Sequence, residues 1–190
     1  MKSLRMMLPI ALISLSTVAF AQHDANKSSD KAPPSAAQRS FDTLKTLAGN
    51  WQGRVTVVPP VPQMDNTPML VSLRVTSRGN AIMHEMKEAG VPDDPTRHDN
   101  PITMLYLDGD HLMLTHYCDA GNRPRMVGQS SPDGKKVEFS FLDVAGSTQH
   151  GHMDHAAFTS IDANHHVEDW TYIMPGDKPM HAHFDLQRVK

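Results

Sequence analysis

The stretch ITMLYLDGDHLMLTHYC, residues 102–118, decides the fold. Two runs rich in apolar residues, 102–107 and 111–118, flank the tripeptide Asp108-Gly109-Asp110. An Asp-Gly pair between two such runs is a strong signal of a tight β-hairpin, because glycine adopts positive φ without a steric cost. The stretch therefore predicts two neighbouring antiparallel strands.

The same alternation of short strands and turns continues on both sides of this hairpin. No long helical pattern interrupts it, and the turns contain Gly, Pro, Asn and Asp. The predicted strands are 50–58, 69–77, 80–88, 102–107, 111–118, 125–131, 135–144, 154–162, 165–174 and 179–189. Sequential antiparallel strands close most simply as an up-and-down barrel or a strongly curved sandwich. The fold class we predict is all-β, an antiparallel up-and-down barrel of about ten strands.

A short helix is expected immediately before the first strand. Phe41, Leu44 and Leu47 recur at helical spacing, Ser40 is placed to cap the helix, and Gly49 is placed to end it. Residues 40–190 are therefore expected to form one domain.

The first 21 residues have the features of a secretory signal peptide. Lys2 and Arg5 form a basic start, residues 7–20 form a short apolar core, and Ala19-Phe20-Ala21 fits a cleavage site. Cleavage there predicts a periplasmic or secreted protein. Residues 22–39 are polar, which predicts a disordered linker.

Charge excludes one class of partner. Without Lys2 and Arg5, 16 basic residues face 21 acidic ones, a formal charge of −5. Nucleic-acid binding requires a basic surface, so we expect no nucleic-acid partner. No segment is long and apolar enough to predict a membrane span. The sequence leaves open whether the protein is a monomer or a homodimer.

The residues around the hairpin resemble a known group of proteins. A short helix that leads into Gly49-Asn50-Trp51 and then into antiparallel strands resembles the calycin group of lipocalins, fatty-acid-binding proteins and nitrobindin-like barrels. The run Thr-His-Tyr-Cys…Gly-Asn-x-Pro-Arg-Met, residues 115–126, is similar to a motif of exported, lipocalin-like bacterial proteins of unknown function. This resemblance implies a barrel with an internal cavity, and it implies no catalytic role.

The single cysteine, Cys118, lies on the same predicted strand as His116. Both side chains fall on the apolar face that includes Leu112 and Leu114, and this face would look into a barrel. Residues two apart on a strand are about 7 Å apart, which is too far for a histidine to activate a thiol by a hydrogen bond. Core packing or contact with a ligand is favoured over a hydrolase or isomerase, so we assign no catalytic residue.

Seven residues are candidates for contact with a ligand. They lie on the predicted strands 80–88, 102–107 and 111–118 and at the turn that follows. These residues are His84, Met104, His116, Tyr117, Cys118, Asn122 and Arg125. His84 shares an inward face with Ile82 and Met86, whereas Arg125 has the alternative role of holding its turn through carbonyl or carboxylate contacts.

Histidine is abundant near the C-terminus. His150, His152 and His155 supply imidazoles within six residues, which predicts a metal site of the kind that copper, nickel or zinc would occupy. The alternative is adventitious binding, since the spacing matches no defined metal motif. Nitrobindin-like barrels bind haem through one histidine, so the resemblance also raises a haem site at His84, His116 or His183. The sequence identifies no cofactor.

The hypothesis with the most support is an exported β-barrel that binds a small, mainly apolar or amphipathic molecule in its cavity. A periplasmic metal or haem binder and an enzyme that uses His116 and Cys118 are the alternatives.

Overall fold

The computed structural model describes residues 33–94 and 96–189. Within them lie one α-helix, ten strands and a short 3-10 turn at Ser77–Gly79. The helix is α1 (Ala36–Lys45), and the strands are β1 (Gly49–Val58), β2 (Thr67–Thr76), β3 (Ala81–Glu88), β4 (Ile102–Asp108), β5 (His111–Tyr117), β6 (Arg123–Ser130), β7 (Lys136–Ala145), β8 (His152–Asp162), β9 (His165–Met174) and β10 (Lys178–Arg188).

The ten strands form a closed barrel. Each strand pairs antiparallel with its neighbour in sequence, and β1 pairs with β10 to complete the ring. The closing seam runs from Trp51 opposite Arg188 to Val58 opposite His181. The predicted all-β up-and-down barrel is confirmed, and the sandwich alternative is wrong because this seam leaves no open sheet edge.

The hairpin that decides the fold has the predicted register. Asp108 of β4 pairs with His111 of β5, and Leu105 pairs with Leu114. Gly109 adopts φ +57° at the turn, a conformation that residues with a side chain rarely adopt. The Asp-Gly signal therefore gave the correct turn and the correct pair of strands.

The helix begins earlier than the sequence suggested. The side chain of Ser35 caps it by accepting a hydrogen bond from the backbone N–H of Gln38 at 3.1 Å. The predicted cap at Ser40 is wrong because Ser40 is buried inside the helix, where its hydroxyl donates to the carbonyl of Ala36 at 3.0 Å. Residues 36–39, which we predicted to belong to the linker, are therefore helical. The predicted signal peptide and residues 22–32 lie outside the described residues.

The helix covers one end of the barrel interior. Phe41 and Leu44 are buried in the same apolar core as Trp51, and α1 contacts β4, β5 and β6. Ser130, the last residue of β6, donates a hydrogen bond to Ser40 at 2.7 Å. Since β4 ends and β5 begins at this end, the start of β4 and the end of β5 lie at the opposite end of the barrel.

No helix in the described part of the chain combines the length and the hydropathy that crossing a membrane requires.

Candidate functional site

A buried carboxylate lies at the centre of a polar cluster inside the barrel. On β9, His166, Glu168 and Trp170 alternate onto the inner face. Glu168 is 0% exposed and accepts hydrogen bonds from three groups. These are His84 Nε2 at 3.0 Å, His166 Nε2 at 2.9 Å and Trp170 Nε1 at 3.1 Å. The strands β3 and β9 are thus joined across the barrel by a charged group.

The electrostatics of this cluster favour the ionised carboxylate. Burial by itself raises the pKa of Glu168, but the charge of His84 and the hydrogen bonds from His166 and His84 outweigh it, and the net shift is downward. All three side chains are fully buried. We interpret the cluster as a structural centre, because Glu168 and the two histidines do not line the cavity of the barrel.

His116 connects this cluster to the cavity. Its Nδ1 lies 2.8 Å from Thr103 Oγ1, and the centroid of its ring lies 5.6 Å from that of Trp170. Among the described residues, its Nε2 has no hydrogen-bond partner. Burial, and next the charge of His84, lower the pKa of His116 to about 4. His116 is therefore a neutral imidazole at neutral pH, with one ring nitrogen unused.

The cavity has a volume of about 480 Å³. Most of its wall is apolar. Five methionines line it, together with Trp170 and Phe184 at the inner wall; the methionines are Met64, Met69, Met86, Met153 and Met180. Methionine side chains are flexible and polarizable, so this wall can adapt to molecules of different shape.

The mouth of the cavity is acidic. Asp99 precedes β4, whereas Cys118 and Asp119 follow β5, and one ligand atom from each lies within 4.8 Å of the others. Partial burial at the rim, and next the charge of Asp119, raise the pKa of Asp99 to about 6. Burial also raises the pKa of the Cys118 thiol. Cys118 is consequently a protonated thiol at neutral pH and a poor nucleophile.

Of the seven predicted ligand-contact residues, His116 and Cys118 line the cavity. His84 lies deeper, where it bonds to Glu168. Met104 and Tyr117 do not line the cavity. Tyr117 is 44% exposed and lines a second, adjoining depression that shares Asp99, Cys118 and Asp119 with the cavity.

Asn122 and Arg125 form structural contacts near the turn after β5. Asn122 is buried, and its side-chain amide donates to the carbonyls of Ser147 at 2.9 Å and Gly151 at 2.7 Å. Arg125 is exposed and forms a bidentate ion pair with Asp143, which is the alternative role that the sequence left open. Neither residue lines the cavity.

Within the described residues, no hydrogen bond joins His116 to Cys118; the Nδ1 of His116 meets Thr103 instead. This arrangement does not resemble an activated cysteine, in which a base contacts the sulfur. The geometry therefore gives no support to the hydrolase or isomerase alternative.

The three histidines of the predicted metal site have separate partners. His150 contacts Gln149 at 2.9 Å, His152 packs against Phe141, and His155 bonds to Glu138 at 2.9 Å. Among residues 33–94 and 96–189, the group of potential metal ligands that does converge is Asp99, Cys118 and Asp119. The structure thus does not bring the three imidazoles together.

Sequence reasoning missed Glu168 and the acidic mouth. Trp170 was the available signal for Glu168, because an inward tryptophan places the residue two positions earlier on the same inner face. Asp99 and Asp119 lie in loops, where strand alternation carries no information about direction. Only the pairing of β4 with β5 brings them together.

Comparisons with known proteins show the fold alone. No family model and no curated protein matches the chain. The chain is similar to the crystal structure of Rv2717c from M. tuberculosis, with a TM-score of 0.58 and 15% identity, over 80% of this chain and 98% of that chain. A protein of unknown function from the DUF3598 family of Nostoc punctiforme has a TM-score of 0.49 and 11% identity, over 77% of this chain and 49% of that one.

Proposed function

We propose that this protein is an exported β-barrel that binds a small, mainly apolar molecule in its internal cavity. The observation that carries the proposal is the cavity of about 480 Å³, whose apolar, methionine-rich wall includes His116, a buried histidine with an unpartnered Nε2. Cavities of a few hundred cubic ångströms with mostly apolar walls and few polar groups are typical of small-molecule sites.

The chemistry of His116 indicates one polar contact for the ligand. Buried polar atoms nearly always have a hydrogen-bond partner, and a neutral imidazole can donate or accept according to its tautomer. A ligand with one polar group at its inner end would pair with Nε2, while its body would contact the methionines.

Native mass spectrometry of the protein, compared with its denatured mass, tests the proposal directly. A retained mass of a few hundred daltons, on the scale of a drug-sized ligand, is expected after export into a periplasm. Protein that carries no retained mass and binds none of a set of apolar molecules would contradict the proposal.

A cavity-filling variant locates the binding. Ala182 lines the cavity, so Ala182→Phe should reduce ligand retention by about tenfold or more, because the new ring occupies the ligand volume. Gln187→Phe is the matched control, because Gln187 is exposed on the same strand. Equal retention by both variants would place the ligand elsewhere.

The export part of the proposal is supported by the basic start, apolar core and Ala19-Phe20-Ala21 site of the sequence. Cell fractionation followed by N-terminal sequencing should find the protein outside the cytoplasm with Gln22 as its first residue. An intact N-terminus at Met1 would contradict cleavage.

A haem binder is the second candidate, favoured by the neutral His116 whose unused Nε2 suits an axial ligand. The mouth opposes it, since Asp99 and Asp119 would face the propionates of haem with like charge. Absorption spectra of the protein mixed with haem, with His116→Ala as the control, distinguish the two candidates. A Soret band that depends on His116 would favour haem.

A further inference from the structure

The sign of the charge at the cavity mouth restricts the ligand. Three carboxylates, those of Glu88, Asp99 and Asp119, are among the lining residues, and the described lining contains no lysine or arginine. A cleft with charges of one sign and low-dielectric walls concentrates its electric field and attracts the opposite charge. The mouth therefore selects for a positive group.

Basic residues lie near this mouth, but within the described part of the chain they form no ion pair with its carboxylates. Arg97 and His98 line an adjoining depression that shares Asp99, Cys118 and Asp119 with the cavity, and Lys87 pairs with Asp93 at 3.6 Å. Among the described residues, none of the three mouth carboxylates forms an ion pair with a lysine, arginine or histidine. Asp99 and Asp119 repel each other at close range, and a cation between them would relieve this repulsion.

An observation independent of the carboxylates indicates that the cavity receives a molecule. His116 is 1% exposed, lines the cavity and has an unpartnered Nε2. The same cavity is lined by five methionines and three aromatic residues. A complementary molecule has an apolar body and a positive charge at its outer end.

We propose that the cavity binds a cationic amphiphile, an amine carried on an alkyl or aryl body. Its ammonium group would lie between Asp99 and Asp119, and its body would contact the methionines of the wall. Fatty acids of the same length are disfavoured, because their carboxylate would meet the acidic mouth. This ligand class rests on the proposed function, since it concerns the same cavity.

Isothermal titration calorimetry with decylamine, decanol and decanoate tests the ligand class at neutral pH. The three probes share one chain length and differ in the charge of the head group. Decylamine should bind at least about tenfold more tightly than decanoate, with decanol between them, as electrostatic complementarity requires.

Two charge-matched double variants assign the preference to the mouth. Asp99→Asn with Asp119→Asn should abolish the preference for the amine and leave decanol binding unchanged. Asp108→Asn with Asp110→Asn removes the same charge at the far end of the β4–β5 hairpin, and it should keep the preference.

The outcomes separate the two proposals. Binding of all three probes with equal affinity, or tighter binding of decanoate, would overturn the cationic ligand class and leave the cavity as a binding site. Binding of none of the probes would overturn the proposed function as well. A preference that weakens equally in both double variants would assign it to the net charge of the protein and contradict a specific mouth.

Discussion

Glu168 holds a negative charge at the centre of a barrel whose interior is mainly apolar. Its three hydrogen-bond donors, on His84, His166 and Trp170, come from two strands on different parts of the ring. A buried charge is tolerated only when it is paired and fully hydrogen-bonded. Removal of one partner leaves the others buried without compensation, so each member of the cluster depends on the rest.

We expect Glu168→Gln to lower the free energy of unfolding by about 3 kcal/mol, because the neutral amide cannot accept all three buried hydrogen bonds that the carboxylate accepts. Urea denaturation monitored by circular dichroism measures the loss. Asp169→Asn is the control, since Asp169 is half-exposed and pairs with His183 at the surface, where an ion pair contributes less than about 1 kcal/mol. Equal losses in the two variants would show that the buried cluster adds no stability.

His116 should make stability depend on pH. Its pKa falls from 6.5 in the unfolded chain to about 4 in the folded protein, so between these values the unfolded state binds more protons. Stability therefore rises with pH over this window, and the part due to His116 is lost as the pH falls from 6.5 towards 4. The loss between neutral pH and pH 4 should reach about 3 kcal/mol.

Urea denaturation at several pH values, compared between the protein and His116→Gln, measures this contribution. The variant does not titrate at this position, so its stability should fall less steeply between pH 6.5 and pH 4. Glu168, whose pKa is lowered in the folded protein, takes up a proton over this window only in the unfolded chain, and the comparison cancels that effect because both proteins share it. Parallel curves for the two proteins would contradict a buried neutral His116.

The sequence identified His116 and Cys118 because strand alternation places them on an apolar face. The same reasoning predicted that Asn122 and Arg125 contact a ligand, but neither residue lines the cavity. Strand alternation does not fix the direction of side chains in a turn. Glu168 was missed because a charged residue is ordinarily assigned to the solvent face, and its compensating donors lie in part on a strand distant in sequence.

At the scale of elements, the seam between β1 and β10 depends on a close approach at Gly53. A Cβ atom at this position would lie 1.8 Å from the backbone oxygen of Asp185. Backbone cannot move aside as a flexible side chain does, so Gly53→Ala should cost about 3 kcal/mol by overpacking. Hydrogen exchange should accelerate first in β10.

Gly109→Ala is the matched substitution at the β4–β5 turn. A Cβ there meets nothing within 4 Å, and the cost of about 1 kcal/mol comes from positive φ alone. Hydrogen exchange in this variant should accelerate near the hairpin turn, whereas the amides of the β1–β10 seam should remain protected. Uniform acceleration in both variants would show that the seam has no local weakness.

The strands could be predicted from the sequence and the start of the helix could not. Strand boundaries follow from turn residues, such as Asp108-Gly109-Asp110, whose conformational requirements are local. The helix has two serines that could cap it, Ser35 and Ser40, and the choice depends on burial against the barrel. Ser40 accepts a hydrogen bond from Ser130, a contact that exists only after β6 is in place.

For the whole molecule, the order of strands around the ring separates local from distant contacts. Nine of the ten strand pairs join neighbours in sequence, whereas β1 and β10 bring together the two ends of the domain. Closing a long loop costs more conformational entropy than closing a hairpin. The β4–β5 hairpin is therefore expected to form early in folding and the β1–β10 seam late.

Two leucines of equal burial test this order. Leu105 in β4 pairs with Leu114, Leu186 in β10 pairs with Gly53, and both leucines are 0% exposed. In stopped-flow measurements over a range of urea concentrations, Leu105→Ala should mainly slow refolding, with a φ-value above about 0.5, since its contacts are present in the transition state. Leu186→Ala should mainly accelerate unfolding, with a φ-value below about 0.3, because its contacts form afterwards. The reverse assignment would show that the barrel folds by first joining its ends, in which case closure of the ring would limit the folding rate.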